Sequence, residues 1–194
     1  MNYYSFFSKI YSLAAKRMCQ DCQGFIREGS KILDLGCGPA IVANEFQNFF
    51  KAKVTGVDIK DFRIFPIQFK VFDGENLPFK DNSFDIVLIS YVLHHVENQS
   101  KILKEAKRVG KRIIIFEDLP EGILARLRCY LHQFTWNIFF GKNFKKLNFK
   151  TKEGWEEFFK RFGLKIIAKK YTFTNFDFLD PIKRMIFVLE KEGA

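Results

Sequence analysis

Two short apolar runs constrain this chain more than any other feature: Ile86-Val87-Leu88-Ile89 and Ile113-Ile114-Ile115-Phe116. A strand with one wet face alternates apolar and polar residues. A run with no polar interruption must be covered on both faces, as in a parallel sheet sandwiched by helices. Between the two runs, Ser100–Val109 carries helical spacing and meets a stop signal at Gly110. The alternation extends both ways. Strands are predicted at Lys31–Leu35, Lys53–Val57, Gln68–Phe72, Phe84–Ser90, Arg112–Glu117, Leu164–Thr172 and Met185–Leu189. Helices are predicted over 40–50, 121–140 and from a Thr151 N-cap through about Phe162, where Gly163 ends it. The fold class that follows is α/β, a doubly wound, mostly parallel sheet of seven strands. Only nine residues, Ile59–Ile67, join the second and third strands, with Pro66 near their end. A parallel crossover normally takes a dozen or more, so a turn or stunted helix is expected there.

The 194 residues suit one domain, residues 1–194. Residues 1–28 read as an N-terminal helical cap of one or two amphipathic helices. Residues 119–150 read as an insertion in which Trp136, Phe139, Phe140, Phe144 and Phe149 lie among Arg126, Arg128, Lys142, Lys145 and Lys146. Its stripe of Ile123, Leu127, Tyr130, Leu131, Phe134 and Ile138 suits a helix packed on the core, a pocket wall or a contact with anionic lipid. The charge is lopsided. Residues 1–97 hold 11 Lys/Arg and 11 Asp/Glu, whereas 98–194 hold 21 and 11, so the whole net charge of +10 sits in the second half. That half suits either a solvated basic surface or an anionic partner. No secretory signal and no apolar stretch of spanning length is visible, so a cytoplasmic protein without a transmembrane span is expected.

The chemistry-bearing residues gather at strand ends. Asp34 lies near the end of the first strand, Asp58 follows the second and Asp73 follows the third. In an open α/β sheet, ligands bind beyond the carboxyl ends of the strands, so these acids should share one crevice. The turn after the first strand, Gly36-Cys37-Gly38-Pro39-Ala40, has two of the three glycines of a dinucleotide fingerprint, but Ile41 stands at the third. A pyrophosphate would also meet Asp34. S-adenosylmethionine has an ammonium and a sulfonium and no phosphate, and fits better. Asp34 favours its charge, and Gly36 and Gly38 clear its path. Asp58 can accept both ribose hydroxyls and Asp73 the adenine amino group, while Ile59 can pack on the adenine face.

The stretches ILDLGCGPA, VTGVDI, VFDGENLPFKDNSFDIV and ISYVLHHV, in this order, resemble the class I methyltransferases. The resemblance is to the type 11 branch, which includes ubiquinone and menaquinone biosynthesis C-methyltransferases. It is strong over about residues 30–118 and looser through GWEEFFKRFGLKII. It implies the strand order 3-2-1-4-5-7-6 and S-adenosyl-L-methionine as cofactor. It assigns Asp34, Gly36, Cys37 and Gly38 to the first motif, Asp58 to the ribose, Asp73 and Gly74 to the adenine, and Ser90 to the methionine part. Ala40 stands where many members have Gly.

Methyl transfer from a sulfonium is an in-line displacement in which orientation supplies much of the catalysis. Where the acceptor must lose a proton, His94 is the candidate base, with His95 and Tyr91 beside it. No metal is expected: Cys19 and Cys22 have ligand spacing but no second pair nearby, and a structural zinc wants four ligands. Cys37 reads as a small spacer in the turn. The expected acceptor is small or lipid-like, with peripheral membrane contact as a further expectation. The second reading is an RNA (tRNA or rRNA) or protein methyltransferase using the basic half. A third is a cofactor-binding subunit without turnover.

Overall fold

The computed structural model describes residues 3–140, 148–173 and 182–193, with side chains from residue 8 onward except those of 132–140. Helix α1 (Tyr3–Asp21) precedes strand β1 (Lys31–Leu35), helix α2 (Ile41–Phe49), and strands β2 (Lys53–Asp58), β3 (Gln68–Val71) and β4 (Phe84–Ser90). A 3-10 turn over Leu93–His95 leads to helix α3 (Gln99–Val109), strand β5 (Gly110–Leu119), helices α4 (Ile123–Phe140) and α5 (Lys152–Arg161), and strands β6 (Leu164–Thr172) and β7 (Lys183–Lys191). The seven strands form one sheet in the order β3-β2-β1-β4-β5-β7-β6. β7 runs antiparallel to both of its neighbours. The other pairings are parallel.

The apolar runs divide between two cores, as their lack of alternation requires. Val87, Ile89, Ile113 and Ile115 point to one face, where α3 and the fully buried Trp155 and Phe159 of α5 cover them. Ile86, Leu88, Ile114 and Phe116 point to the other, under Met18 of α1 and Phe46 of α2. Each such large side chain, fully buried, contributes about 1.5–3 kcal/mol. Thr151 caps α5, its hydroxyl accepting from the Gly154 amide at 3.1 Å, as the sequence predicts.

Several boundaries differ from expectation, those of the N-terminal segment and of β5 among them. The N-terminal segment is one described helix ending at Asp21. β5 begins at Gly110 itself, whose backbone is extended rather than left-handed. Gly is needed there for space, because a Cβ would lie 2.5 Å from Val87. At its other end, β5 runs on to Leu119 because it pairs with β7 as far as Leu119–Lys183. The short link between β2 and β3 holds no helix, as its length implies. Phe144, Lys142, Lys145 and Lys146 lie outside the described residues, as do the side chains of Tyr3, Tyr4, Phe7, Phe134, Trp136, Ile138, Phe139 and Phe140. Among the described residues, no helix is long and apolar enough to cross a membrane.

Candidate functional site

The turn after β1 is held from beneath by β2. The amides of Gly36 and Cys37 both donate to the Val57 carbonyl, at 2.8 and 3.1 Å, and the Gly38 amide donates to Asp58 Oδ2 at 2.9 Å. Asp58 Oδ1 accepts from the Ile59 amide at 2.7 Å. Each Asp58 oxygen thus keeps a lone pair after bracing the turn. Burial raises the Asp58 carboxyl above its usual range, and the two amides pull it back.

The two turn glycines have different tasks. Both have positive φ, at 76° and 49°. A Cβ on Gly36 would lie 2.6 Å from a Val92 methyl, so its space is already filled by protein. A Cβ on Gly38 would meet none of the described residues within 4 Å. Gly38 therefore borders open space, and Gly36 packs against the segment after β4. Gly36→Ala is expected to destabilise the fold by about 2–3 kcal/mol, through overpacking and left-handed strain. Gly38→Ala should cost about 1 kcal/mol of stability but lose most cofactor affinity, because its methyl enters the open space. Thermal denaturation and calorimetry on the two variants separate these effects; equal outcomes would refute the division. Ala40 also adopts φ 62°, a left-handed conformation suited to Gly, at the start of α2. That is the physical content of its departure from the resembled pattern.

Cys37 is a spacer. Its Sγ lies 2.7 Å from where a Cβ on Gly56 would stand, so a glycine in β2 makes room for it. Burial pushes its thiol up, with Asp34 and Asp58 adding to the effect. Gly56 lies within the stretch VTGVDI, but its task of making room for Cys37 is not readable from sequence.

Asp34 is fully buried, and among the described residues neither carboxylate oxygen has a partner at full hydrogen-bond geometry, the Ala43 amide of α2 reaching it only weakly. Burial first, then the charge of Asp58, lifts its pKa to about 7, with the Ala43 amide of α2 offsetting a little. A buried carboxylate so weakly partnered is costly and calls for an explanation. A cationic group above the turn supplies one, by favouring its ionised form. This buried acid and the open face at Gly38 are the features into which S-adenosylmethionine fits.

At the rim, Ile59 is 59% exposed, and its side chain comes within 3.4 Å of where a Cβ on Gly74 would be. The β2 and β3 ends thus meet, leaving a large apolar side chain beside Asp58 for a flat ring to cover. Asp73 is exposed and already engaged. Its Oδ1 accepts from the Glu75 and Asn76 amides at 2.8 and 2.6 Å, and Oδ2 from the Asn76 side chain at 2.9 Å. The Asn76 amide foremost, then its side chain and the Glu75 amide, hold the Asp73 pKa down near 2. Oδ2 keeps one lone pair for an amino group.

β4 ends at Ser90, which pairs with Phe116 of β5. Tyr91 then takes φ 58°, an uncommon conformation for a bulky residue, with its amide bound to the Phe116 carbonyl at 2.8 Å. This bend turns the chain so that Val92 reaches Gly36 and His94 turns inward. His94 is 1% exposed. Its Nδ1 lies 2.6 Å from Glu117 Oε2, while Glu117 Oε1 accepts from the Leu93 amide at 2.8 Å. The Phe149 ring stacks on the imidazole at 4.5 Å between centroids and His95 lies at 4.2 Å. The Asn148 amide donates to the His94 carbonyl at 2.8 Å, tying the segment before α5 to this corner. Burial lowers the His94 pKa, but the charge and hydrogen bond of Glu117 outweigh it, and the net shift is upward. Glu117 has no site role in the sequence reading; the available signal is the acid pair Glu117-Asp118 closing the apolar run Ile113–Phe116.

Cys19 and Cys22 are buried free thiols in the core beside Met18, Phe46 and Phe50. Burial, with the nearby Glu45 charge adding, pushes Cys19 up to about 12. Among the described residues, no group of three or more His, Cys, Asp or Glu is arranged to hold a metal.

Comparison with known proteins places the chain among methyltransferases. Residues 33–113 match the family model described as a methyltransferase domain. An uncharacterised protein of Methanocaldococcus jannaschii is 35% identical over 169 residues, covering 83% of this chain and 75% of the relative. The ubiquinone/menaquinone biosynthesis C-methyltransferase of Idiomarina loihiensis is 32% identical over 141 residues, covering 63% of this chain and 55% of that protein. This chain spans about half the length of the quinone methyltransferases it matches. In fold, it is similar to a SAM-dependent methyltransferase of Methanosarcina mazei with a TM-score of 0.66 at 19% identity, covering 89% of this chain and 97% of that one.

Proposed function

The chain belongs to the class I methyltransferases, type 11 branch, and on that premise we propose that it transfers a methyl group from S-adenosyl-L-methionine to a small or lipid-like acceptor. The observation that carries this reading is Asp34, buried without a full hydrogen-bond partner beneath a turn that is open at Gly38. Such a carboxylate gains most from a ligand that brings positive charge and no phosphate. When bound, S-adenosylmethionine supplies an electrophilic methyl group on sulfur. Asp58 accepts the ribose hydroxyls on the lone pairs left by Gly38 and Ile59. Asp73, with Gly74 behind it, accepts the adenine amino group, and Ile59 covers the ring. Gly36, Cys37 and Gly38 form the floor, and Ser90 lines the methionine side. The quinone methyltransferases among the relatives support an apolar acceptor. Incubation with radiolabelled cofactor and fractionated cell extract should label the organic-solvent fraction. Label confined to the RNA or protein fraction would overturn the acceptor class.

For an acceptor that must lose a proton, His94 is the base in this reading. Glu117 is its positioning residue: it holds Nδ1 and leaves Nε2 as the nitrogen able to accept a proton. His94 must be neutral to act, so activity should rise with pH through its raised pKa, above 6.5. Glu117→Gln removes the two larger upward causes and leaves burial opposed only by the Asp118 charge, so the acid limb of the kcat/KM profile should move to lower pH. An unmoved limb would exclude His94 as the titrating base. The stability contribution has the opposite sense: the pair stabilises the fold fully below the unfolded histidine pKa and ceases to as pH rises through the folded one.

A further inference from the structure

We propose that the outer face of α4 docks on an anionic lipid bilayer. The described side chains of α4, Ile123–Leu131, are small where they face inward and large where they face outward. Ala125 is 1% and Cys129 5% exposed, packed with Ile182 and Phe149, whereas Ile123, Leu124, Leu127 and Tyr130 are 85, 70, 55 and 65% exposed. An ordinary surface helix does the reverse. At about 100° per residue, these four side chains span an arc roughly 120° wide, with Arg126 on one flank and Arg128 on the other. Both arginines are exposed. The expected stripe through Ile123, Leu127 and Tyr130 therefore exists, and its described part faces outward.

Charge identifies the occupant. From Ile123 to Lys152 the sequence holds seven Lys/Arg and not one Asp or Glu. The acids just before α4 are engaged by cations: Asp118 by Arg184 and Glu121 by Lys183. An apolar arc between two arginines, on a segment of one charge sign, is the pattern of a helix lying in a membrane interface. Nucleic acid would use the cations and stacking aromatics, and leaves Ile123, Leu124 and Leu127 unexplained. α4 leaves the sheet at the carboxyl end of β5, the end that carries Asp34, Asp58 and the His94–Glu117 pair. Docking would therefore hold the membrane near the sheet edge that carries the crevice. The inference goes beyond methyl transfer, and its test uses neither cofactor nor acceptor.

Co-sedimentation of the full chain with vesicles of phosphatidylcholine alone, and of phosphatidylcholine mixed with phosphatidylglycerol, tests it. Binding is expected to the mixed vesicles and to fall with salt. Leu124→Gln with Leu127→Gln should weaken it at least about tenfold, through lost apolar burial. Arg126→Gln with Arg128→Gln should weaken it about 25-fold at low salt, about fivefold per charge. Circular dichroism verifies that both pairs of exposed substitutions leave the fold intact. Failure of the wild type to sediment, or leucine variants that bind as well as the wild type, would overturn the proposal. So would binding abolished by competing RNA with the leucine variants unaffected.

Discussion

Replacing Asp58 by alanine is expected to lower affinity for S-adenosylmethionine at least about 100-fold, because two hydrogen bonds to a charged acceptor are lost at about 1.5–3 kcal/mol each. The effect has two sources. The ribose hydroxyls lose their acceptor, and the Gly38 amide loses the Oδ2 that now holds it at 2.9 Å. The turn then loosens where the ligand crosses it. Asp61 provides the control, since it is exposed and its carboxylate is bound to Arg63 rather than to the turn. Asp61→Ala should leave affinity within about twofold, as expected for a surface change. Calorimetric titration of the three proteins decides the matter, and wild-type affinity in Asp58→Ala would sink the ribose assignment.

Replacing Asp34 by asparagine should stabilise the ligand-free protein at alkaline pH while weakening cofactor binding. The folded carboxyl titrates near 7, against 3.8 for an ordinary aspartate. The folded state therefore holds more protons than the unfolded state between those values, so stability falls as pH rises through them. Above pH 7 the ionised, weakly partnered carboxylate costs on the order of a few kcal/mol. Asparagine does not ionise. At pH 8 its melting temperature should exceed the wild type's by roughly 5–10 °C, and at pH 4 the advantage should vanish. Cofactor binding should show the converse. A cation above the turn lowers the Asp34 pKa, so wild-type binding should release a proton and strengthen as pH rises through about 7. The variant should bind more weakly and lose that dependence. Calorimetry in buffers of different ionisation enthalpy measures the proton count. A variant no more stable than the wild type at pH 8 would show that Asp34 finds a partner in solution.

Much of the fold was legible because periodicity and burial are local signals. The runs Ile86–Ile89 and Ile113–Phe116 have no polar face, so they had to lie in a doubly covered sheet, and their alternate residues do feed two cores. Asp34, Asp58 and Asp73 were legible as a group because strands of one parallel sheet end on the same edge. Three features were not. Glu117 owes its role to a histidine 23 residues away, which only the bend at Tyr91 brings within reach. Asp73 spends most of its hydrogen-bonding capacity on its own turn, a geometry that residue type alone leaves open. The direction of the α4 stripe was equally hidden, since hydrophobic spacing fixes which residues share a face but not which face the core can accept.

The sequence by itself therefore determined the sheet, the turn at Gly36–Ala40 and the kind of ligand that the strand-end acids suit. These depend on short-range chemistry: apolar spacing, glycine conformation and charge. Tertiary structure alone decided that Gly36 packs against Val92 while Gly38 borders open space, that Asp34 is buried with Asp58 as its charged neighbour, and that the described part of α4 turns its large side chains to the outside. Each depends on which atoms distant segments bring together: Val92 against Gly36, Asp58 beside Asp34, and Ile182 and Phe149 against Ala125 and Cys129. Contacts of that kind follow from the packing of the whole chain, which no local stretch encodes.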